Sequence, residues 1–227
     1  MKITIKREIW NVLIVAFPFI YLIIIWKNLP QVVPMHWNID GKADRFGDKT
    51  GLWMIPVALP FLTYIIFLVV PEFTGKGQLN KMGLKYDRLK FSLVLITSVL
   101  ASYILFVVKE QTIYLPSILP GLVGLLFAVF GNYFPVLKRN LYIGIKTPWT
   151  LQSDIVWEKT HRMAGKYWFI GGILVVICSL SFEHAVAIKI LLVVAGLITV
   201  IPVVYSYTCY KRISKEIVEL VRVRFLS

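Results

Sequence analysis

A short polar segment near the start of the chain holds the side chains best suited to bind a metal or a ligand. It spans residues 28–51, reads NLPQVVPMHWNIDGKADRFGDKTG, and contains four candidate groups: His36, Asp40, Asp44 and Asp48. Their spacing does not match an EF-hand loop, which needs acids two residues apart, then glycine and a distal glutamate. One histidine without a second nitrogen or sulfur ligand nearby is also a weak start for zinc. Because basic residues alternate with the acids, we expect a solvated ion-pair lobe without metal or cofactor.

The backbone chemistry of this segment predicts a compact, ordered lobe. Two prolines, Pro30 and Pro34, favour an extended backbone, and Asp40-Gly41 is a turn sequence. Trp37 suits the membrane–water interface. As a surface for a ligand arriving from outside, the lobe offers these residues: Pro34, His36, Trp37, Asp40 and Asp44.

A second polar segment, residues 131–166, lies between two apolar runs and reads GNYFPVLKRNLYIGIKTPWTLQSDIVWEKTHRMAGK. Loops longer than about 12–15 residues are usually functional or disordered, and this one is too aromatic for disorder. Ser153 is a suitable helix N-cap, and Trp157 and His161 follow at helical spacing. We therefore predict a short amphipathic helix at the membrane interface, leading into the next span.

Two interpretations of the second segment remain open on the residues alone. Its tryptophans and basic residues can anchor at lipid headgroups. Its surface can instead dock a cytoplasmic partner through a larger set of residues: Asn140, Gly144, Lys146, Thr147, Pro148, Trp149, Trp157, His161 and Arg162. The adjacent His161 and Arg162 are thin evidence for catalysis, because no nucleophile or acid is clearly placed beside them. A membrane enzyme therefore ranks last among the functions considered.

The composition places the chain in lipid. It is 58% hydrophobic and only 16% charged, with a mean hydropathy of +0.74. Six apolar runs reach or approach the roughly 20 helical residues that cross a bilayer: Ile9–Trp26, Leu52–Pro71, Phe91–Val108, Leu115–Val136, Tyr167–Phe182 and Ala185–Tyr207. Continuous apolar runs exclude a membrane β-barrel. The predicted fold class is all-α: a polytopic membrane protein with six transmembrane helices, one long outer loop, and one long cytoplasmic loop carrying a short interfacial helix.

The distribution of lysine and arginine orients these spans. The net charge of +13 is concentrated at the N-terminus, between the second and third runs, in residues 131–166 and in the tail. These segments should face the cytoplasm, which puts both termini inside. The bilayer, not nucleic acid, is then the expected partner of the positive charge. Four regions follow: an N-terminal membrane domain at 1–71, a basic cytoplasmic loop with the third span at 72–114, a second membrane domain at 115–210, and a basic cytoplasmic tail at 211–227.

The predicted spans lack the groups that drive coupled transport. No Asp, Glu, Arg or His lies near the middle of any of them, whereas proton- or ion-coupled transporters usually carry one there. A transporter or channel for a small or amphipathic molecule remains an alternative, because the spans are rich in proline. The two long loops also leave from opposite sides, as an inverted repeat would require.

The two polar segments together carry a family resemblance. IGIKTPWTLQSDIVWEKTHRMAGK resembles the signature of the SdpI family of bacterial membrane immunity proteins, and LPQVVPMHWNIDGKADRFGDK resembles the membrane domain of unknown function that often precedes it. Lys146 stands where arginine is also common in the family, which keeps the charge but loses the bidentate fork.

The resemblance implies a binding protein without catalysis in the bacterial plasma membrane. Such a protein protects its cell from a secreted antimicrobial peptide, with recruitment of a cytoplasmic repressor or other regulator as a further expectation. The first polar segment would then meet the peptide, and the second would meet the regulator.

Overall fold

The computed structural model describes residues 5–73, 82–111 and 118–226. Its helices and strands, in chain order, are α1 (Ile5–Ile25), β1 (Val32–Trp37), β2 (Ala43–Asp48), α2 (Met54–Pro56), α3 (Leu62–Phe73), α4 (Leu84–Lys109), α5 (Ile118–Tyr133), α6 (Pro148–Gln152), α7 (Asp154–Ser181) and α8 (His184–Leu226). A π-helical turn at Val57–Phe61 joins α2 to α3, where Pro60 removes one helical donor.

Within those ranges, six helical segments are long and apolar enough to span a membrane: Glu8–Asn28, Lys49–Pro71, Leu84–Lys109, Ile118–Val136, Asp154–Ser181 and His184–Glu216. The predicted all-α, six-span fold class is confirmed. The structure adds one two-stranded antiparallel sheet, formed by β1 and β2.

The fifth span differs from the sequence expectation in its length. The helix expected at the interface, leading into this span, is continuous with it and forms the beginning of α7, which runs unbroken for 28 residues. Ser153 caps it as predicted, because its hydroxyl accepts a hydrogen bond from the amide of Val156. A helix of this length measures about 42 Å, more than the roughly 30 Å of hydrocarbon, so part of it extends beyond the bilayer core. The short helix of this segment is α6.

The centre of the bundle is α4, which packs against α1, α3 and α5. More than half of its apolar stretch is buried, a larger share than in the other spans. A hydroxyl fixes its contact with α1: Ser98 donates to the carbonyl of Ile14 at 2.7 Å. Hydrogen bonds of this kind hold helices together where no water competes.

The closest helix pair is α5 and α7, which meet through small residues. Gly121, Gly124, Ala128 and Gly131 of α5 face Gly165, Gly172 and Ser179 of α7. A Cβ atom on Gly172 would overlap the backbone of Ala128 and Gly124. Small residues at such spacing let two backbones touch, which is a common way to pack transmembrane helices.

The bundle has two distinct ends. At the hairpin end, β1 and β2 lie against the C-terminal ends of α1 and α4 and the N-terminus of α8. At the loop end, residues 134–153 lie over the N-terminal part of α7 and against α8. Since α7 separates these ends along its full length, the two polar segments lie on opposite faces of the protein.

Candidate functional site

Strands β1 and β2 form a hairpin within residues 28–51, where the prolines and the turn sequence predicted a compact lobe. Pro34 pairs with Phe46 across the strands, and Trp37 pairs with Ala43. The predicted Asp40-Gly41 turn is present: Asn38 accepts hydrogen bonds from the amides of Asp40 and Lys42, and Gly41 has φ +75°.

The hairpin brings together two of the predicted ligand-binding residues. His36 Nδ1 lies 2.6 Å from Asp44 Oδ1, and both side chains are exposed. Across the part of the chain that the structure describes, no cluster of three or more His, Cys, Asp or Glu side chains is arranged around a common point. The pair is therefore a polar feature of the exposed surface.

Among the described residues of the hairpin, the expected ion pairs between the acids and the neighbouring basic residues are absent. Lys49 instead donates to the carbonyls of Trp26 and Leu29 and lies over the Trp26 ring. Asp48 accepts from the backbone amide of Thr50, and this hydrogen bond lowers the pKa of the Asp48 carboxyl. Both side chains stabilise the backbone locally, because capping an orphan amide or carbonyl is worth more than an exposed ion pair.

Anchoring to the bundle divides the predicted hairpin residues into two groups. Val33 is fully buried and, with Trp37, packs against the apolar cluster at the ends of α1 and α4. Pro34 is also buried. A Cβ on Gly41 would lie 2.5 Å from the His184 ring, so the turn rests directly on α8. Pro34 and Trp37 therefore position the hairpin, while the exposed group is His36, Asp40 and Asp44, beside apolar Val32, Met35, Ile39 and Phe46.

At the loop end, Asn140 organises the start of the signature segment. Its Oδ1 accepts from the amides of Tyr142 and Ile143 at 2.8 and 2.7 Å, and its Nδ2 donates to the carbonyls of Lys138 and Ile143. The side chain is nearly buried. Asparagine is suited to this role because its amide can replace the backbone partners of a turn.

Gly144, Trp157 and His161 form the centre of this segment. The carbonyl of Trp157 accepts a hydrogen bond from His161 Nδ1 at 2.8 Å, so the proton is on Nδ1 and Nε2 is free to accept. His161 Nε2 accepts from the amide of Ile145 at 2.9 Å. The two rings stack at 4.0 Å. Gly144 has φ +117° and a Cβ there would overlap the imidazole, so glycine is required both for backbone shape and for space.

A capping box holds the chain entering α6. Thr147 and Thr150 exchange side-chain and backbone hydrogen bonds, with Pro148 in the first helical turn. The Thr150 hydroxyl also donates to the carbonyl of Ile145. This arrangement satisfies the amides at the beginning of a helix that is otherwise too short to be stable alone.

Two side chains fasten the segment to neighbouring helices. Trp149 Nε1 donates to Ser206 Oγ of α8, and its ring packs 5.2 Å from that of Tyr207. Arg139 binds the carboxylate of Asp154 at 2.7 Å and the carbonyl of Leu151.

Most of the predicted docking residues are therefore parts of a scaffold. Asn140, Trp157 and His161 are buried, which corrects the expectation that His161 is exposed like Arg162. Sequence spacing alone does not distinguish the two faces of a helix that lies against a folded loop. The exposed residues of the segment include Leu141, Tyr142, Lys146, Pro148 and Arg162.

The sequence interpretation missed one polar cluster at the loop end. Glu8 of α1 lies 2.5 Å from Lys90 of α4, and its other oxygen accepts from Asn11 and Tyr64. Lys90 is only 2% exposed. Glu8 and Lys90 each lie one residue before a predicted span. Their opposite charges at the starts of two spans are the feature of the sequence that could have predicted the pair.

The fold, with six apolar helices and an ordered polar segment at each end, defines a multi-pass membrane protein. Residues 136–206 match the SdpI/YfhL protein family, and residues 13–59 match a domain of unknown function, DUF1648. The predicted resemblance is confirmed, because both matches fall on the segments that suggested it: an SdpI/YfhL-family region follows an N-terminal DUF1648 domain.

Among curated proteins, the chain is 27% identical to the Immunity protein SdpI of Bacillus subtilis (strain 168) over 211 residues, covering 92% of this chain and 98% of that protein. An uncharacterized protein of Archaeoglobus fulgidus is 29% identical over 59 residues, which cover 26% of this chain and 32% of that protein. No solved structure matches the chain significantly. These similarities and the six apolar helices support a location in the bacterial plasma membrane.

Proposed function

We propose that this chain is an immunity protein that protects its cell from a secreted antimicrobial peptide. The observation that carries the proposal is the similarity to Immunity protein SdpI, which extends over nearly the full length of both chains. The direct test is expression in a bacterium that is sensitive to such a peptide. Survival should rise on expression, and unchanged survival at normal membrane abundance would contradict the proposal.

The proposed orientation puts the hairpin end outside and both termini in the cytoplasm. Its basis is the excess of lysine and arginine in the loop-end segments. Lys42 and Gln152 are exposed at opposite ends of the bundle. Single cysteines at these positions, with Cys178 and Cys209 replaced by serine, should react with a membrane-impermeant maleimide only at position 42 in intact cells. Reaction at position 152 alone would reverse the orientation.

The proposed peptide-binding surface is the exposed face of the hairpin. It combines the His36–Asp44 pair with the half-exposed Phe46, so it offers both polar and aromatic contacts to an amphipathic peptide. Truncating an aromatic anchor commonly costs about 2 kcal/mol or more of binding, or roughly 30-fold in affinity. Phe46→Ala and His36→Ala should therefore reduce protection without changing abundance.

A matched control separates binding from folding. Trp37→Ala should also reduce protection, but through the hairpin's attachment, and should increase protease cleavage within residues 38–42. Arg162→Ala, an exposed change at the other end, should leave protection intact. Full protection by both Phe46→Ala and His36→Ala would place the peptide site elsewhere.

The proposed surface for a cytoplasmic regulator is the accessible part of the signature segment. Leu141 is 68% exposed beside Tyr142, whose carbonyl accepts a hydrogen bond from Lys146 Nζ at 3.0 Å. Exposed apolar side chains next to a charge suit a protein contact. If a repressor gene lies beside this one, its tagged product should move to the membrane with the wild-type chain and stay in the cytoplasm with Leu141→Asp. Unchanged recruitment would contradict this surface.

A further inference from the structure

The missed polar cluster forms one wall of a cavity at the loop end. The cavity has a volume of about 530 Å³ and lies between α1, α4 and α5. Its polar lining includes Glu8, Asn11, Asp87, Arg88 and Lys90. None of these residues belongs to the hairpin or to the signature segment.

Three of the charged side chains that line this cavity, Glu8, Asp87 and Lys90, are largely buried and paired with one another. Lys90 Nζ lies 2.5 Å from Glu8 and 4.0 Å from Asp87. Asn11 is 3% exposed and donates to Glu8, while its own Oδ1 accepts no hydrogen bond from the described residues. Arg88 is exposed among the lining residues. The cavity therefore presents carboxylate and amide acceptors together with an accessible guanidinium.

A second cavity of about 640 Å³ lies next to the first, along the same two helices. Its lining is almost entirely apolar and includes Phe17 and Tyr21 of α1 and Phe106 of α4. Trp10 lines both cavities. The 11 helical steps from Trp10 to Tyr21 rise about 16 Å, which is close to half of the roughly 30 Å hydrocarbon core. Together the two cavities form one groove, polar at the loop end and apolar over the depth of one leaflet.

We propose that this groove binds one ethanolamine phospholipid from the leaflet at the loop end. An acyl chain fills the apolar part between α1 and α4. Arg88 binds the phosphate, since a guanidinium matches phosphate oxygens well. The primary ammonium donates hydrogen bonds to the wall made by Glu8 and Asn11.

The choice of an ethanolamine headgroup follows from the polar side chains that line the cavity. Both signs of charge line the cavity, so a headgroup with both signs is complementary. A choline group has the same charge but no N–H to donate, and a glycerol headgroup has hydroxyls but no cation. The site is independent of the proposed peptide and regulator surfaces, so its failure would leave the immunity function untouched.

Lipid retention by the purified full-length chain tests the proposal. Native mass spectrometry after exposure to equal amounts of phosphatidylethanolamine, phosphatidylglycerol and phosphatidylcholine should show one ethanolamine lipid retained. Its preference over phosphatidylcholine should be about tenfold, the effect of one or two charge-assisted hydrogen bonds. Asn11→Leu should reduce that preference. Arg88→Gln should instead lower the retention of all three lipids, since each carries the phosphate, and Arg88→Lys should restore part of that retention.

The shared position Trp10 tests the continuity of the groove. Trp10 is 62% exposed, so Trp10→Ala should fold, and it should lower retention of all three lipids. Leu180→Ala, an exposed apolar truncation on α7, and Asn28→Leu, an exposed asparagine at the hairpin end, serve as controls and should change nothing. Equal retention of the three lipids by the wild-type chain would overturn the proposal. A dimer that dissociates on Trp10→Ala would overturn it as well, because a second copy would then occupy the groove.

Discussion

His161 gives the sharpest test of the signature segment, because its predicted role changed from docking to support. The imidazole is 1% exposed and bridges the carbonyl of Trp157 and the amide of Ile145. In His161→Ala the Ile145 amide loses its acceptor, at a cost of about 1–3 kcal/mol. Loss of ring stacking with Trp157 adds about 0.5–1.5 kcal/mol. We therefore expect this segment to lose roughly 2–4 kcal/mol of local stability.

Protease cleavage within residues 138–153, followed over time in membrane vesicles, measures that local stability. A loss of this size raises the open population by a factor of roughly 30 to 1000, and cleavage should accelerate accordingly where opening is fast. Gln at position 161 should recover part of the protection, because its amide oxygen can reach the position of Nε2. Arg162→Ala is the matched control, since that neighbour is exposed. Equal cleavage rates for the His161→Ala and Arg162→Ala proteins would refute the scaffold role.

Three further changes probe the bundle and the hairpin. Gly172→Ala should lower the thermal midpoint, since overpacking commonly costs about 1–3 kcal/mol, whereas Gly196→Ala, which has open space around its Cβ, should not. Lys90→Met should destabilise the protein by about 3–5 kcal/mol, and adding Glu8→Gln should recover much of the loss, as a thermal double-mutant cycle will show. The lowered pKa of Asp48 means that its cap stabilises the hairpin above the ordinary carboxyl pKa and is lost as pH falls through the lowered value. Hairpin proteolysis should therefore rise in acid, and much less so in Asp48→Asn.

Local sequence signals predicted the positions of most elements and caps. Hydropathy located all six spans, because a bilayer demands long apolar helices whatever the tertiary contacts. Ser153 and the Asp40-Gly41 turn were also predictable, since caps and turns depend on a few adjacent residues. The antiparallel pairing of β1 with β2 was not predicted. The hairpin also contacts α8 at His184 and buries Val33, and both are tertiary contacts that local sequence signals do not reveal.

The candidate sites were harder to predict because composition does not show which way a side chain points. Trp157 and His161 have the polar atoms and aromatic rings typical of binding surfaces. In the fold those same atoms satisfy the backbone of a loop that has no regular structure of its own. A buried irregular segment must pair its amides and carbonyls somewhere. The Asn, Gly, Thr, Trp and His residues of this signature therefore stabilise the fold of the loop. A binding surface would be formed by the more exposed residues beside them.

The buried pair of Glu8 and Lys90 shows a second limit, which concerns the edges of spans. A predicted apolar span ends where charged residues begin. Two oppositely charged residues at the ends of neighbouring spans are therefore assigned to water even when they pair with each other. Here the pair lies inside the bundle, linked through Tyr64 to a third helix. Removing one partner would leave an uncompensated charge in a medium where solvation is poor. The pair therefore specifies how α1 meets α4, and that contact in turn shapes both the polar wall and the apolar groove proposed to hold a lipid.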